Sequence, residues 1–466
     1  MKKLTVLVFL VLLCGCAVLT AAAFRSQALI SEKEHRSLQA FPVLNRQTYL
    51  NGIFFKDLEA YIYDHVPLRE RVLEYTALYD KIKGIEPEIM ALEKGNSMNL
   101  VNPDGNTKAP KPDKEEKPEP EKKKEPGQEG ETPSLPVKPG QKMETDFSQY
   151  KTQTQNISIM AVKDTLLQLF HFHEENVGAY AKALNTFAAK MPENVRMYSL
   201  LAPTQVGLTG EEYKDFSDPQ DKAIEYIYSL LNPRYETIEA FAPLFAHRQE
   251  YLYFRSDHHW TQLGAYYAAQ AFARQAGLAM PDIADCEKHS LENFLGYLYS
   301  NNQVSKVGQH PDRIDYYIYQ GKNPEIECFF YDETETLNSY MQTVFSLSAV
   351  ANGTNYGIFL SGDYPRLVYK NPESAGGRVL MVVKDSYANA FVPWLIHSFQ
   401  KIIVIDPRTC KDNIYDLVVK EQVTDFVVLD YIMAADLESF IGMMQELAEG
   451  RRSSYVNQKR NPDFGV

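Results

Sequence analysis

The residues best suited to chemistry lie near the middle of the chain, in the segment Asp257–Trp260, which reads Asp-His-His-Trp. In an extended or tightly turned backbone, side chains two residues apart project to the same side, so Asp257 can face His259. A carboxylate that accepts a hydrogen bond from an imidazole fixes its tautomer and leaves the far ring nitrogen to act as a base. The alternative is a structural turn, in which Asp257 caps a helix and the histidines only pack. The local spacing leaves both interpretations open.

A second candidate is Ser386, which follows the apolar run Arg378–Val383. In a parallel sheet, the loop that leaves the C-terminal end of a strand opens onto the edge where α/β proteins keep reactive groups. A serine there can be a nucleophile, and the backbone N–H groups of Ser386 and Tyr387 with the side-chain amide of Asn389 can hold an oxyanion. The alternative for Ser386 is a helix cap.

The elements that position these groups are predicted by apolar patterning. Glu250–Arg255 predicts a short strand before the Asp-His-His-Trp segment, Thr261 is a candidate N-cap for the helix after it, and Gly277 a stop signal. Other predicted strands are Val195–Leu201, Arg378–Val383, Lys401–Ile405 and Asp425–Leu429, with an inserted meander of Tyr316–Tyr319, Ile326–Tyr331 and Val344–Leu347. Predicted helices are Asn176–Lys190, Pro219–Leu231, Leu395–Phe399, Tyr415–Gln422 and Ala435–Ala448. This alternation predicts an α/β protein with a mainly parallel sheet covered on both faces.

The segment Asp257–Trp260, followed by Thr261 and by Gly264 and Ala265, resembles the signature of the DHHW family. Ile405–Arg408 is a further similar piece. That family is similar to the periplasmic alginate O-acetyltransferases, whose SGNH-hydrolase-like domain carries an Asp-x-His-Trp motif. The resemblance implies a three-layer α/β/α fold of the SGNH-hydrolase type.

The resemblance also implies roles for individual residues. Asp257 and His259 would serve Ser386 in a catalytic triad, and the oxyanion or substrate-binding residues would be Tyr387, Asn389, Trp260 and His258. Two features depart from the common SGNH pattern. Lys384 stands where a glycine precedes Asp-Ser, and the acid and the histidine precede the serine along the chain. Triads are defined by geometry, so neither departure excludes the chemistry.

The activity implied by the resemblance is O-acetylation of a cell-surface or secreted polysaccharide, with the acyl group supplied by a membrane-bound O-acyltransferase. The residues alone support serine-based acyl transfer or hydrolysis. A carbohydrate esterase with the same triad and a non-catalytic glycan-binding scaffold are therefore the alternatives. We expect no cofactor and no metal, although His171, His173 and Glu174 offer ligands alongside Asp257 and His258.

The composition of the chain bears on its core, on its binding partners and on its disulfides. The chain has 466 residues, a formal net charge of −13 and 44% apolar residues, enough for a sizeable core. Because there is no basic stripe to neutralise phosphates, nucleic acid is not expected as a partner. Cys286, Cys328 and Cys410 are far apart and odd in number, which predicts at most one disulfide.

Composition also changes along the chain. Lys2 and Lys3 precede an apolar run from Leu4 to Phe24, which predicts export through a signal peptide or membrane anchor and an extracytoplasmic location in the cell envelope. Pro, Lys, Glu and Gly then fill a central stretch that predicts a disordered linker. The predicted regions are 1–24 export segment or anchor, 25–105 N-terminal helical segment, 106–143 linker, 144–450 SGNH-like catalytic domain and 451–466 loose tail.

Overall fold

The computed structural model describes residues 157–451 except 321–326, 332–335, 342, 352–354, 373 and 375, together with residues 138–140 and short pieces at 30–31, 36–37, 54, 58, 61, 89–93 and 98–99. The predicted export segment, most of the predicted linker and nearly all of the tail lie outside these residues. Two compact units are found, Met1–Pro87 and Glu88–Val466. In the described part of the chain, no helix has the length and apolar character that crossing a membrane requires.

Only small pieces of the first unit are described. Strands β1 and β2, which span Ile30–Ser31 and Arg36–Ser37, form an antiparallel pair. Phe54, Leu58 and Tyr61 are helical.

The second unit is built on a mixed sheet of eight strands. In chain order these are β7 Arg196–Ala202, β8 Tyr235–Thr237, β11 Glu327–Tyr331, β12 Leu337–Met341, β13 Arg366–Lys370, β14 Val379–Lys384, β15 Lys401–Ile405 and β16 Asp425–Tyr431. Their spatial order is β12-β11-β13-β15-β14-β16-β7-β8. The central strand β14 is buried along its whole length, as expected for an apolar strand covered on both faces.

The prediction of a mainly parallel sheet needs correction. Strands β15, β14, β16, β7 and β8 run parallel, whereas β13, β11 and β12 continue the sheet antiparallel. The antiparallel edge comes largely from the region predicted as an inserted meander. Strands β11 and β12 are joined by too short a connection for a crossover helix, so they pair as a hairpin.

Helices cover this sheet. In the described residues they are α1 Glu174–Lys190, α2 Gln220–Ser229, α3 Phe241–Ala246, α4 Gln262–Ala276, α5 Tyr297–Asn302, α6 Ser305–Gly308, α7 Leu347–Ala351, α8 Ala388–Leu395, α9 Ile414–Lys420 and α10 Glu438–Ala448. The predicted N-cap and C-cap of α4 are confirmed. The Thr261 side chain accepts from the Gly264 N–H, and Gly277 adopts the left-handed conformation with φ 62°.

Two aromatic contacts show that α1 and α4 lie on opposite faces of the sheet. Phe426 of β16 packs against Phe187 of α1 with ring centroids 5.4 Å apart, and Tyr198 of β7 packs against Phe272 of α4 at 5.2 Å. Tyr198 pairs with Val427, the residue after Phe426. Since successive residues of a strand point to opposite faces, the arrangement has three layers, helix–sheet–helix.

Two smaller sheets complete the second unit. Strands β3 Ile89–Glu93, β4 Met98–Asn99, β5 Ile157–Val162 and β6 Thr165–Gln168 form one, in the order β4-β3-β5-β6. The other is the antiparallel pair β9 Cys286–Phe294 and β10 Asp312–Tyr319. Strands β3 and β4 fall within residues 25–105, the region predicted as an N-terminal helical segment, so this region also contains strands.

Three predicted elements are wrong in type or position. Glu250–Arg255 forms no strand, and only an isolated bridge joins Tyr253 to Trp260. Val344–Leu347 is not a strand, since Leu347 begins α7. The helix after β14 ends at Leu395, where the prediction began it, and Pro393 lies inside it.

Candidate active site

The structure brings Asp257, His259 and Ser386 into one hydrogen-bonded chain. His259 Nδ1 lies 2.6 Å from Asp257 Oδ1, and His259 Nε2 lies 2.6 Å from Ser386 Oγ. The three residues are 5%, 4% and 8% exposed, respectively. Acid, imidazole and hydroxyl therefore stand in the order that activates a nucleophile.

The ionisation of Asp257 determines the tautomer of His259. Burial acts to raise the pKa of Asp257, but the neighbouring His259 and His258 and the hydrogen bonds from His259 and Tyr297 outweigh it, so this pKa lies well below its usual range. An ionised carboxylate can only accept, so His259 Nδ1 is the donor. In the neutral ring, Nε2 then carries a lone pair that accepts from the Ser386 hydroxyl.

The Asp257 carboxylate is held by backbone groups from two segments. Its Oδ1 accepts from the His259 N–H at 2.8 Å, and its Oδ2 accepts from the Tyr297 N–H at 2.7 Å. Tyr297 begins α5, and Gly296 precedes it. A Cβ atom at Gly296 would lie 2.3 Å from both Cβ and Oδ2 of Asp257, so the close approach requires glycine.

Asp312, which the sequence analysis missed, fixes the loop that carries Asp257. Its Oδ2 accepts from the backbone N–H groups of Arg255 at 3.0 Å and Ser256 at 2.7 Å, and from the Ser256 hydroxyl at 2.5 Å. Its Oδ1 accepts from the Tyr251 hydroxyl at 2.7 Å. One buried carboxylate at the start of β10 thus replaces the strand pairing that was predicted before the motif.

The loop that carries Ser386 is fixed by Asp385 and Trp260. Asp385 Oδ1 accepts from the Tyr387 N–H at 2.8 Å, and its Oδ2 accepts from the Tyr431 N–H at 2.7 Å. Trp260 Nε1 donates to the Tyr387 carbonyl at 2.8 Å. Burial nevertheless raises the pKa of Asp385 to about 6. The bond from Trp260 to Tyr387 therefore connects the loop that carries Asp257 and His259 to the loop that carries Ser386.

Three predicted oxyanion or substrate-binding residues have other roles in this structure. Trp260 is completely buried, so its ring is in the core rather than open to a sugar. The Tyr387 N–H is bonded to Asp385, and Asn389 Nδ2 donates to Asp363 Oδ1 at 2.9 Å. We therefore do not assign an oxyanion or substrate contact to Trp260, Tyr387 or Asn389. The role of the Ser386 N–H remains a prediction.

His258, which was predicted as an oxyanion or substrate-binding residue, lines the same cavity as Ser386. Its ring centroid lies 3.9 Å from that of His259, because the two rings pack against each other in the tight turn. Burial lowers the pKa of His258 to about 3, with the nearby charges of His259 and Arg408 adding to the effect, so the ring is neutral. Its Nδ1 is buried without a hydrogen-bond partner among the described residues and lies 3.7 Å from Asp257 Oδ1.

A cavity of about 30 Å³ adjoins Ser386. Polar and apolar side chains line it together: Gln168, His258, Tyr297, Leu298, Asp385, Ser386, Arg408, Tyr431, Ala434 and Phe440. A space of this volume holds roughly one or two water-sized groups.

A buried network of charges lies beside this cavity. Lys384 is completely buried, and its Nζ contacts Asp363 and lies 3.3 Å from Asp406 Oδ2. Arg408 Nε donates to Asp406 Oδ1 at 2.8 Å, and Arg408 Nη2 lies 2.8 Å from Asp363 Oδ2. Two cations thus face two carboxylates, which compensates the cost of burying them. Lys384, which replaces the glycine of the common SGNH pattern, belongs to this network.

Tyr356 covers one face of the candidate base. Its ring stacks on that of His259 at a centroid distance of 4.0 Å and an angle of 16°, and its hydroxyl donates to the Ser386 carbonyl at 3.3 Å. Aromatic coverage of this kind limits how far the imidazole can rotate and shields it from water. Nothing in the local sequence around Tyr356 marked it as a site residue.

One group in the described part of the chain has the spacing of metal ligands. The ligand atoms of Asp257, His258 and His259 lie within 4.8 Å of one another. Both oxygens of Asp257 and both ring nitrogens of His259 already take part in the hydrogen bonds described above. His171 and His173 are not in this group, and His173 Nδ1 lies 3.1 Å from Asp436 Oδ2. A site that works without metal remains our prediction.

Fold and site together define a three-layer α/β protein with a buried Ser-His-Asp constellation. The model of the DHHW protein family matches residues 137–405, and the chain belongs to this family. A search of curated proteins found no match.

Solved structures are similar to this chain. A DHHW family protein from Eubacterium siraeum DSM 15702 is 25% identical, with a TM-score of 0.57 over 64% of this chain and 96% of that chain. Bacillus cereus PatB1 with a sulfonyl adduct is 19% identical, with a TM-score of 0.50 over 61% of this chain and 96% of that chain. The O-acetyltransferase domain of Pseudomonas putida AlgJ is 13% identical, with a TM-score of 0.34 over 62% of this chain and 97% of that domain.

Proposed function

We propose that this chain is an extracytoplasmic serine-dependent O-acyltransferase that acetylates hydroxyl groups of a cell-surface or secreted polysaccharide. The observation that carries the proposal is the hydrogen-bonded chain from Ser386 Oγ through His259 to Asp257, with both distances at 2.6 Å. Membership of the DHHW family and its resemblance to alginate O-acetyltransferases support acetyl as the group transferred.

The first half of the reaction acylates the serine. Ser386 Oγ attacks the carbonyl carbon of an acyl ester or thioester donor, and His259 Nε2 takes the hydroxyl proton. The carbonyl π electrons move to oxygen and form a tetrahedral oxyanion. When the oxyanion collapses, the donor's leaving group departs with the proton that His259 holds. Asp257 stabilises the imidazolium between these two steps.

The second half transfers the acyl group. A sugar hydroxyl of the acceptor gives its proton to His259 Nε2 while its oxygen attacks the acyl carbon on Ser386. Collapse of this second tetrahedral species breaks the bond to Ser386 Oγ, which recovers the proton from His259. The acceptor leaves as an O-acyl sugar, and the free serine is restored.

The burial of the site limits the water that can reach an acyl group on Ser386. Ser386 and His259 are almost completely buried, and the adjoining cavity is small. Few water molecules can therefore lie beside the acyl group on Ser386, and an enclosed site suppresses hydrolysis of a reactive intermediate. A carbohydrate esterase with the same residues is the second candidate, since water can replace the sugar hydroxyl in the second half.

An acceptor-dependent transfer assay tests the proposal. The full chain is incubated with 4-nitrophenyl acetate as donor and a set of acetyl-free envelope oligosaccharides, and acetylated oligosaccharide is measured by mass spectrometry. We expect acetylated product with the wild type and none with Ser386→Ala. Ser348→Ala, which changes an exposed serine, is the matched control and should retain activity.

Other outcomes separate the alternatives. Acetate release without acetylated oligosaccharide, with removal of acetyl groups from an acetylated glycan, would make the chain an esterase. Binding of an oligosaccharide by both wild type and Ser386→Ala, with no turnover by either, would make it a glycan-binding scaffold and overturn the enzymatic proposal.

A further inference from the structure

We propose that Arg408 binds the acyl carbonyl oxygen at the site and stabilises the oxyanion that forms on it. This inference rests on the proposed function, and it names a residue that the local sequence around Ser386 does not indicate. It assigns to a guanidinium part of the role that the backbone N–H groups of Ser386 and Tyr387 and the Asn389 amide were expected to fill.

Two of the three expected donors already have hydrogen-bond partners. The Tyr387 N–H is bonded to Asp385, and the Asn389 amide is bonded to Asp363. Recruiting the Tyr387 N–H would break a buried hydrogen bond to a carboxylate, which is costly. The bond to Asp363 holds the Asn389 amide through one of its two N–H groups. Of the expected donors, the Ser386 N–H is then left, and an oxyanion is stabilised best by more than one oriented donor.

Arg408 lies in the right place for this role. It lines the cavity of about 30 Å³ together with Ser386 and His258. Of the cavity-lining side chains, Arg408 carries the positive charge, because burial keeps His258 neutral. A carbonyl group that reacts with Ser386 Oγ would therefore share this cavity with the guanidinium.

The guanidinium is also held rigidly and kept charged. Asp406 accepts from Nε at 2.8 Å and from Nη2 at 2.5 Å, and Asp363 contacts Nη2 at 2.8 Å. These bonds engage Nε and Nη2, so we assign the contact with the acyl oxygen to the N–H groups of Nη1. Burial acts to lower the pKa of Arg408, but Asp363 and Asp406 raise it well above its usual value.

Lys384 balances the second carboxylate. Lys384 and Arg408 face Asp363 and Asp406, so the charges of the network balance. The ion pairs hold the guanidinium in position at the wall of the cavity. Donors that are oriented before the reaction stabilise a transition state without a reorganisation cost. This network explains why a lysine can stand directly before Asp385 and Ser386.

The test removes the guanidinium with and without its partner carboxylate. Arg408→Gln removes the positive charge but leaves Asp406 uncompensated. The double variant Arg408→Gln with Asp406→Asn removes both charges of the pair. We expect both variants to lose roughly 10²- to 10³-fold in kcat with 4-nitrophenyl acetate, with little change in KM, because the contact is made mainly in the transition state.

A tetrahedral adduct gives a second readout that a structural role would not change. A boronic acid that bonds to Ser386 Oγ forms an anionic tetrahedral adduct that resembles the oxyanion. We expect its inhibition constant to weaken in both variants in parallel with kcat/KM. Thermal melting of each variant shows whether it is folded, and the double variant provides the measurement if Arg408→Gln does not fold.

Two results would overturn the role of Arg408 while the proposed function stands. One is a folded variant with kcat and boronate affinity near those of the wild type. The other is a slow single variant whose activity returns in the double variant, which would show that Arg408 only balances charge. A wild type with no turnover and no covalent labelling at Ser386 would instead overturn the proposed function.

Discussion

The Asp257 carboxylate is buried yet ionised because three N–H groups, two from His259 and one from Tyr297, donate to it. These bonds do two things at once. They compensate the lost hydration of the carboxylate, and they fix the His259 ring with Nε2 toward Ser386. The chemistry proposed at Ser386 therefore depends on Asp257, which makes no contact with Ser386 Oγ and acts through His259.

The first prediction concerns this dependence. In Asp257→Asn the shape is kept, but the side chain no longer stabilises the imidazolium and no longer enforces the tautomer. We expect kcat for acyl transfer to fall about 10⁴-fold, as is typical when a triad acid is lost. Asp416→Asn on the surface of α9 is the control and should leave kcat unchanged. A variant with nearly wild-type kcat would contradict the assignment.

The second prediction uses the neutral His258. Its pKa of about 3 in the folded protein lies below the ordinary value, so the unfolded chain binds the extra proton as the pH falls below about 6.5. Lowering the pH thus favours unfolding, and this one group costs the folded state about 2 kcal/mol between pH 7.5 and pH 5.

Urea unfolding of wild type and His258→Gln at both pH values measures this cost. We expect the free energy of unfolding to fall with pH by about 2 kcal/mol less in the variant. Equal pH dependence of the two proteins would show that His258 is not buried in its neutral form.

For individual residues, the sequence predicted the contacts that depend on local spacing. The two-residue spacing of Asp257 and His259 was enough to pair them, and the strand before Ser386 placed that serine at the correct edge. Asp312, Tyr356 and Arg408 were missed because they meet the site only through the fold. Asp312, for example, is 56 residues from the Ser256 it binds.

At the scale of elements, Asp257, His259 and Ser386 lie on loops and helix or strand ends rather than inside long helices. The N-terminal turn of α5 donates to Asp257, and the end of β14 carries Ser386. Apolar runs made the central strands predictable, and Lys401–Ile405 matches β15 residue for residue. The segment before the motif was not predictable in this way, because Asp312 replaces strand pairing there.

The third prediction belongs to the turn before α5. A methyl group at Gly296 would overlap Asp257, so Gly296→Ala should push the carboxylate from His259. We expect a loss of about 1–3 kcal/mol in stability, typical of overpacking, and of roughly 10²-fold in kcat from the displaced acid. Urea unfolding and the transfer assay measure the two effects.

Gly178→Ala is the matched control for this substitution. Gly178 lies inside α1, and a Cβ there meets no atom within 4 Å. The control should therefore be neutral or more stable by up to about 1 kcal/mol, with unchanged kcat. A Gly296→Ala protein that behaves like Gly178→Ala would show that the turn does not position Asp257.

At the scale of the whole molecule, the fold class was predictable and the sheet topology was not. Alternating apolar and amphipathic segments predicted helices on both faces of a sheet. The antiparallel edge was not predicted because Arg366–Lys370 was not recognised as a strand, and strand order depends on contacts far apart in sequence. The boundaries of the predicted linker and export segment remain predictions.

The fourth prediction concerns the cysteines of this unit. Cys286, Cys328 and Cys410 are free thiols, and burial raises the pKa of Cys286 to about 11 and of Cys410 to about 12. Reduction should therefore leave the Tm unchanged. Alkylation of the unfolded, unreduced protein should modify all three cysteines, and protection of two of them from alkylation would reveal a disulfide that links them.

The most direct test of the account is to find the acyl group on its serine. The full chain is quenched with acid soon after mixing with 4-nitrophenyl acetate, digested, and analysed by tandem mass spectrometry. We predict a single acetyl group on the peptide that contains Ser386, which disappears when an acceptor oligosaccharide is added, and which forms far more slowly in His259→Gln. Acetyl on another residue, or turnover with an unmodified Ser386, would contradict the account.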